Sequence, residues 1–332
     1  MVVVKPIAEY VVCALLIALC APSLAQEPVN CRECGRKIFG DYIRVGESCY
    51  HPEHFVCARC GKTIVGSFYQ YYGNNYDTAC YETFVVPKCV ICGEPIEDGT
   101  AYTKDYWGDV WHNRHLEVTC CDFCRRPIVG GYAAGRKRHP DGRELCGVCG
   151  AVAVTTEERA RALMIAAAAG LRENGVVVDT DEISLLLLPR STLDRLSTDG
   201  RGLTGYSDCA AMGSSPADRH FTRNIMLLDG MPQAQMTATL AHELMHIWFC
   251  VNGCFHLEKS LEEGSCQYAA ALVLRKTSGA ESDFIIHTLA TDEDPVYGGG
   301  FRMVSRCVDK HGVARWLEEI EKDAPDVARL GE

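Results

Sequence analysis

The pentapeptide His242-Glu243-Leu244-Met245-His246 sets two imidazoles four residues apart, with a carboxylate beside the first. On a helix, residues four apart share a face, so both rings can reach one metal ion. Glu243 sits one residue on from His242, close enough to touch a metal-held water without binding the metal. Zinc with three protein ligands and a water is hydrolytic machinery, and the carboxylate is its general base. The pentapeptide is a hypothesis until the surrounding chain supplies a third ligand and a helix to carry it.

The helix is legible. Met236, Leu240, Leu244 and Ile247 recur at three- and four-residue spacing and give a core face. Pro232 suits the first turn, Asn252-Gly253 ends the run, and a second helix begins near Leu257. Gluzincin peptidases take their third ligand from a Glu on such a following helix, often just before a Gly. In Leu261-Glu-Glu-Gly-Ser-Cys-Gln267, Glu263 fits that place, 17 positions after His246, and Glu262 ranks second. The metzincin pattern is disfavoured, because Ile247-Trp-Phe-Cys-Val251 follows His246 instead. An oxyanion donor is sought in Pro295-Val-Tyr-Gly-Gly-Gly-Phe-Arg302, where Tyr297 and Arg302 are the candidates. That glycine-rich stretch reads equally as an active-site loop or as a turn before the next helix.

Further upstream, Thr155-Thr-Glu-Glu158 reads as a capping box for an Ala- and Leu-rich helix ending near Arg172. Ile183 to Leu188 reads as a strand, Leu193 to Leu196 as helical, and Gly200 to Ser215 as a Gly/Ser-rich loop. Phe221 to Leu228 reads as a second strand, turning at Asp229-Gly230, and is the expected edge for pairing an extended substrate.

The first half of the chain carries metal of a different kind. Cys31, Cys34, His51, His54, Cys57, Cys60, Asp77 and Cys80 come as pairs with two residues between members. A tight turn can present both members of such a pair to one tetrahedral ion. Cys31, Cys34, His51 and His54 form one expected site, and Cys57, Cys60, Asp77 and Cys80 the other. From Pro87 a looser copy follows: Cys89, Cys92, His112 and His115, then Cys121, Cys124, Cys146 and Cys149. Five residues separate His115 from Cys121, so Cys120 competes with Cys121 as the ligand, and His139 is another substitute. The aromatic run Ser67 to Tyr72 reads as a strand with a Gly/Asn turn after it. So small a module has little apolar core, and zinc must supply much of its folding energy. The expected total is five zinc ions, four structural and one catalytic.

The whole chain sets outer bounds. It has 332 residues, 47% hydrophobic and 23% charged, which are globular values. The net charge of −11, without a long basic run, argues against nucleic acid or an anionic membrane as the main partner. An apolar run from Tyr10 to Ala21, broken by Pro22 and followed by Ser23-Leu-Ala25, reads as a secretory signal cleaved near Ala25. It is too short to span a membrane. A secreted or periplasmic protein with no membrane span after signal removal is expected. In the mature chain Cys49, Cys120, Cys209, Cys250, Cys254, Cys266 and Cys307 stay unassigned, and no disulfide is drawn from them.

The zinc modules resemble the LIM domain, two stacked zinc ribbons, with departures at His54 and Asp77. Together with Leu240-Ala-His-Glu-Leu-Met-His-Ile-Trp248, Glu262 to Gln267 and Asp294 to Arg302, they resemble the LIM-domain metallopeptidases that limit organ size in plants. The likeness extends back to Leu185-Leu-Leu-Leu-Pro-Arg190 and forward to Lys310-His-Gly312. It implies a ubiquitin-activated endopeptidase acting on selected regulatory proteins. No ubiquitin-interacting segment is recognisable before the zinc modules, which puts ubiquitin activation in doubt, and the apparent signal points to an exported bacterial relative. The expected architecture is α+β. Signal peptide 1–25 precedes a LIM domain 26–86 and a LIM-like domain 87–152. A mostly helical gluzincin-type metallopeptidase domain with a short sheet follows over 153–332. The expected function is a zinc-dependent endopeptidase acting on protein or peptide substrates, with a further protein partner on the LIM modules. The alternative is a zinc-scaffolded interaction protein whose peptidase domain is vestigial.

Overall fold

The computed structural model describes residues 2–4, 11–13, 29–97, 99–115, 117–197, 202–213, 220–322 and 325–331. The expected signal segment and its cleavage point at Ala25 lie outside these residues, apart from two short strands. Val2–Val4 pairs antiparallel with Tyr102–Lys104, and Val11–Cys13 with Phe68–Gln70. The chain divides into two compact units, 1–118 and 119–332. The division falls inside the stretch that reads from sequence as one LIM-like module.

In the first unit each ribbon is a pair of short strands around a small core. Phe68–Tyr71 and Asn74–Asp77 form a hairpin whose two turn residues, Tyr72 and Gly73, both have positive φ, 46° and 74°. Such a turn matches the right-handed twist of the strands, and Gly adopts it without a Cβ penalty. The expected turn therefore sits one residue earlier than the Asn pair suggests. Phe55 is fully buried and meets Phe68 edge-on at 4.9 Å. Val45, Tyr50 and Ile64 complete this core. With so few apolar residues, burial at about 25 cal/mol per Å² cannot hold the unit alone.

The second unit holds the large core. Helix α1 (Glu157–Arg172) begins at Thr156, whose hydroxyl accepts from the Arg159 amide. Strands β1 (Ile183–Leu188), β2 (Gly205–Met212) and β3 (His220–Leu228) form one sheet in the order β1-β3-β2. β1 runs parallel to β3 with Ile183 opposite Arg223, and β2 runs antiparallel to β3 with Gly205 opposite Leu227. This corrects two expectations. The Gly/Ser-rich stretch contains an eight-residue strand, and the Phe221–Leu228 strand is central rather than an edge. Tyr206, Ser207 and Cys209 pair with β3 despite the loop-like composition around them, because tertiary context overrides weak β propensity.

Helix α2 (Gln233–Asn252) runs through the core beside this sheet, with Met236, Leu240, Leu244 and Ile247 fully buried. Gly253 ends it in the left-handed conformation at φ 76°. Helices α3 (Lys259–Leu274), α4 (Ala280–Thr291), α5 (Tyr297–His311) and α6 (Val313–Ile320) follow. The glycine-rich stretch thus opens α5. Its glycines allow backbone contact: a Cβ on Gly264 would lie 2.3 Å from the Gly300 carbonyl carbon, and one on Gly300 would lie 2.0 Å from the Ser260 oxygen. α3 and α5 therefore touch backbone to backbone, as only Gly permits. The next residue after Gly264, buried Ser265, accepts from the Trp316 indole at 3.3 Å.

The last ribbon is attached to the start of α2. Ala153–Val154 pairs with Met231–Pro232, immediately before that helix. His139 packs against Gly230 so closely that a Cβ there would fall 2.1 Å from the imidazole. Arg126 reaches Glu281 of α4 at 3.5 Å. These contacts explain why residues after 118 belong with the helices. Among the described residues, no helix is long and apolar enough to cross a membrane.

Candidate metal centres and cleft

Four clusters gather the ligand pairs in the first half of the chain. They are Cys31, Cys34, His51 and His54; Cys57, Cys60, Asp77 and Cys80; Cys89, Cys92, His112 and His115; and Cys121, Cys124, Cys146 and Cys149. Donor separations are those of a tetrahedral shell. Cys31 Sγ is 3.6 Å from His54 Nδ1, His51 Nδ1 is 3.2 Å from His54 Nδ1, and Cys124 Sγ is 3.6 Å from Cys146 Sγ. Cys121 joins its cluster, whereas Cys120 bridges to Pro127 and His139 packs on Gly230. Asp77 has two tasks. Its Oδ1 accepts the Cys80 amide at 2.8 Å and caps a turn of helix, while Oδ2 faces Cys60 Sγ at 3.2 Å. His112 Nε2 donates to the Pro95 carbonyl at 3.2 Å, which leaves Nδ1 as the ligand atom.

Two of the thiols are drawn toward the thiolate form by backbone amides. Burial opposes ionisation of Cys31, but backbone amides of Cys34 and His51 outweigh it and pull the thiol down to about 5. The same contest brings Cys89 to about 7, with the Cys92 and His112 amides prevailing over burial. Thiolate is the form that binds zinc, so the turns at Cys31 and Cys89 supply amides where the charge would sit.

The fifth cluster lies in the helical unit. His242 and His246 project from one face of α2, with their Nε2 atoms 3.2 Å apart. Glu263 Oε2, from α3, is 3.3 Å from the first and 3.7 Å from the second. Three donors at 2.0–2.2 Å from one tetrahedral ion are spaced by about 3.3 Å, so this triangle fits zinc. Glu263 Oε2 is buried and makes no hydrogen bond, although both imidazoles lie beside it. A buried carboxylate oxygen left without a partner is costly unless a cation completes it. Burial disfavours the Glu263 carboxylate, yet the two histidines outweigh it and hold its carboxyl far below the usual range. The residues present therefore fit a metal ion, and Glu263 is placed where a third donor would stand.

Cys266 also approaches the two imidazoles. Burial pushes its thiol up to about 12, and it lies three residues along α3 from Glu263, whose Oε2 is 3.3 and 3.7 Å from the two ring nitrogens. Glu262 holds a different post. Its Oε1 lies 3.2 Å from His246 Nδ1, where a carboxylate fixes the tautomer and orientation of a ligand imidazole.

Glu243 is buried on the same helix, and its Oε2 accepts from Ser207 Oγ at 2.8 Å. Gly205 stands over its other oxygen: a Cβ at that position would lie 2.7 Å from Oε1 and 2.4 Å from Thr239. The start of β2 thus leaves room for the carboxylate because it has no side chain there. A cleft of about 440 Å³ opens over these groups, lined by Tyr206, Ser207, Phe249, Phe255, Lys259 and Tyr297 among others. A second space of about 300 Å³ shares His242, Glu243 and Tyr297 with it. Tyr297 is therefore in the cleft. Arg302 is not: its guanidinium donates to the Ala290 carbonyl at 3.2 Å and the Asp292 carbonyl at 2.5 Å, tying down the end of α4.

Sequence reading gave no role to Ser207, Gly205 or Lys259. It drew no disulfide, yet Cys209 of β2 is bonded to Cys250 of α2, with Cα atoms 6.2 Å apart. Cys250 lies four residues after His246, so the bond ties the edge strand to the helix of the metal ligands. Closing a loop of 41 residues contributes about 4 kcal/mol by the chain-entropy estimate.

Comparison with known proteins matches two separate stretches of the chain. Residues 31–85 match the LIM domain. Residues 210–282 and 278–323, which contain both imidazoles and Glu263, match the family described as DA1-like (Protein DA1). One stretch of the chain is thus similar to LIM domains and a later one to DA1-like proteins. Protein DA1-related 2 of Arabidopsis thaliana is 26% identical over 87% of this chain and 68% of its own length. Protein DA1 of the same plant is 25% identical over 88% and 66%, respectively. The LIM domain-containing protein HDR3 of Oryza sativa subsp. japonica is 25% identical over 91% and 75%. The chain thus spans roughly two thirds of the length of the two Arabidopsis relatives. LIM domains mediate protein interactions, and the matched stretch holds the first two of the Cys/His clusters, a composition that points to zinc binding.

Proposed function

We propose that the protein is a zinc-dependent endopeptidase that cuts protein or peptide substrates in the cleft between β2 and α2–α3. The observation that carries this reading is the triangle of His242, His246 and Glu263, whose buried Oε2 has no other partner, with Glu243 held beside it by Ser207. These three would hold the ion. Zinc, when bound, supplies Lewis acidity and lowers the pKa of a water it holds to roughly 7.

The chain's own groups do the rest. Glu243 takes the proton of the attacking water and returns it to the leaving amine. Ser207 keeps that carboxylate aimed into the cleft, and Glu262 holds the ring of His246. Tyr297 supplies a hydroxyl where oxyanion charge develops. The outer edge of β2, which pairs with no further strand among the described residues, would receive an extended substrate, the task first assigned to Phe221–Leu228. Tyr206 and Phe249 make part of the wall apolar, suited to a side chain of the substrate. The Cys209–Cys250 disulfide supports an oxidising compartment, consistent with an exported protein.

The test is a peptide-library digest by the full chain and by Glu243→Gln, with and without chelator. The wild type should cleave only without chelator, while Glu243→Gln should bind zinc normally and not cleave. Undiminished cleavage by Glu243→Gln would overturn the mechanism. A zinc-loaded wild type with no cleavage of any peptide would favour the interaction-module reading.

A further inference from the structure

Lys259 is the first residue of α3. Its ammonium lies 2.7 Å from Glu263 Oε1 and 3.5 Å from Glu262 Oε2. Local helix physics disfavours a lysine at this position. The first turn of a helix favours acids and repels cations. A Lys four residues before a Glu is also the weaker order of such a pair. The side chain is 61% exposed, so the ion pair adds little to stability. A residue that breaks local rules without a gain in folding points to the site it faces, and Lys259 lines the cleft.

The two oxygens of Glu263 have opposite surroundings. Oε1 is held by Lys259, and Oε2 is buried between the imidazoles without a hydrogen bond. We propose that Lys259 is a positioning residue that keeps Glu263 to single-oxygen ligation. The inference rests on the zinc reading above. A carboxylate free to rotate can bring both oxygens to one ion and fill the position that water needs. An ammonium pulling on Oε1 opposes that rotation and directs Oε2 alone toward the imidazoles. Lys259 thus acts through Glu263 and sets both the affinity of the fifth site and its coordination number.

The experiment uses the full chain. The exchangeable fifth ion is removed with a mild chelator and replaced by Co2+, while the thiolate sites keep their spectroscopically silent zinc. The wild type should show the intense visible bands of four-coordinate Co2+. Lys259→Met should weaken those bands toward the five-coordinate form and lower zinc affinity at that site about 10- to 100-fold. Lys259→Arg, which keeps the cation, should restore most of both. Wild-type bands and wild-type affinity in Lys259→Met would overturn the inference while leaving the zinc site standing. A wild type that takes up four ions and no fifth would overturn the zinc reading and this inference together.

Discussion

Gly264→Ala isolates the contact that places Glu263. On propensity alone the change should help, since Ala is favoured over Gly inside a helix by about 1 kcal/mol. The structure predicts the opposite. The new Cβ would lie 2.3 Å from the Gly300 carbonyl carbon and 2.5 Å from its oxygen, where ordinary contact begins at 3.4 Å. The obstacle is backbone and cannot rotate aside, so α3 and α5 must part by about 1 Å. Overpacking of this kind costs about 1–3 kcal/mol. With backbone on both sides the upper end applies, and the net loss is about 2 kcal/mol after the propensity gain. The local effect is larger. Glu263 is the adjacent residue, and a shift of about 0.5 Å exceeds the ±0.2 Å tolerance of a metal site. Urea unfolding should show a lower midpoint, and competition with a chromophoric chelator should show fifth-site affinity reduced at least about tenfold. Gly299→Ala is the control, because its Cβ would meet only the Asp294 oxygen at 3.6 Å. An unchanged or raised midpoint in Gly264→Ala, with the fifth ion held as tightly as before, would refute the packing argument.

Two further outcomes separate residues that the sequence left as equals. Cys121→Ser should lose one zinc ion by metal analysis, while Cys120→Ser should keep the full count, since only Cys121 joins the four-thiol cluster. Tyr297→Phe should lower kcat by about 10²–10³ with zinc retained. Arg302→Met should leave kcat unchanged and cost about 1–3 kcal/mol in unfolding, because its guanidinium serves the Ala290 and Asp292 carbonyls.

What the sequence by itself determined is the chemistry that depends on near neighbours. Two-residue spacing is a turn, and four-residue spacing is a helix face, so every ligand pair and the pair His242/His246 are legible as written. Burial of α2 is legible for the same reason, since Met236, Leu240, Leu244 and Ile247 repeat with the helix period. Distant pairings were decided only by the tertiary structure. Whether β2 or β3 forms the edge depends on register with a strand elsewhere in the chain, and the composition of 200–215 carries no trace of it. Arg302 and Tyr297 sit five residues apart in sequence, and the start of α5 sends one to the end of α4 and the other to the cleft. Glu262 and Glu263 are neighbours of identical chemistry. Their roles part because they face different nitrogens of one ring, Glu263 Oε2 toward His246 Nε2 and Glu262 Oε1 toward its Nδ1, while the backbone contact of Gly264 with Gly300 holds α3 against α5.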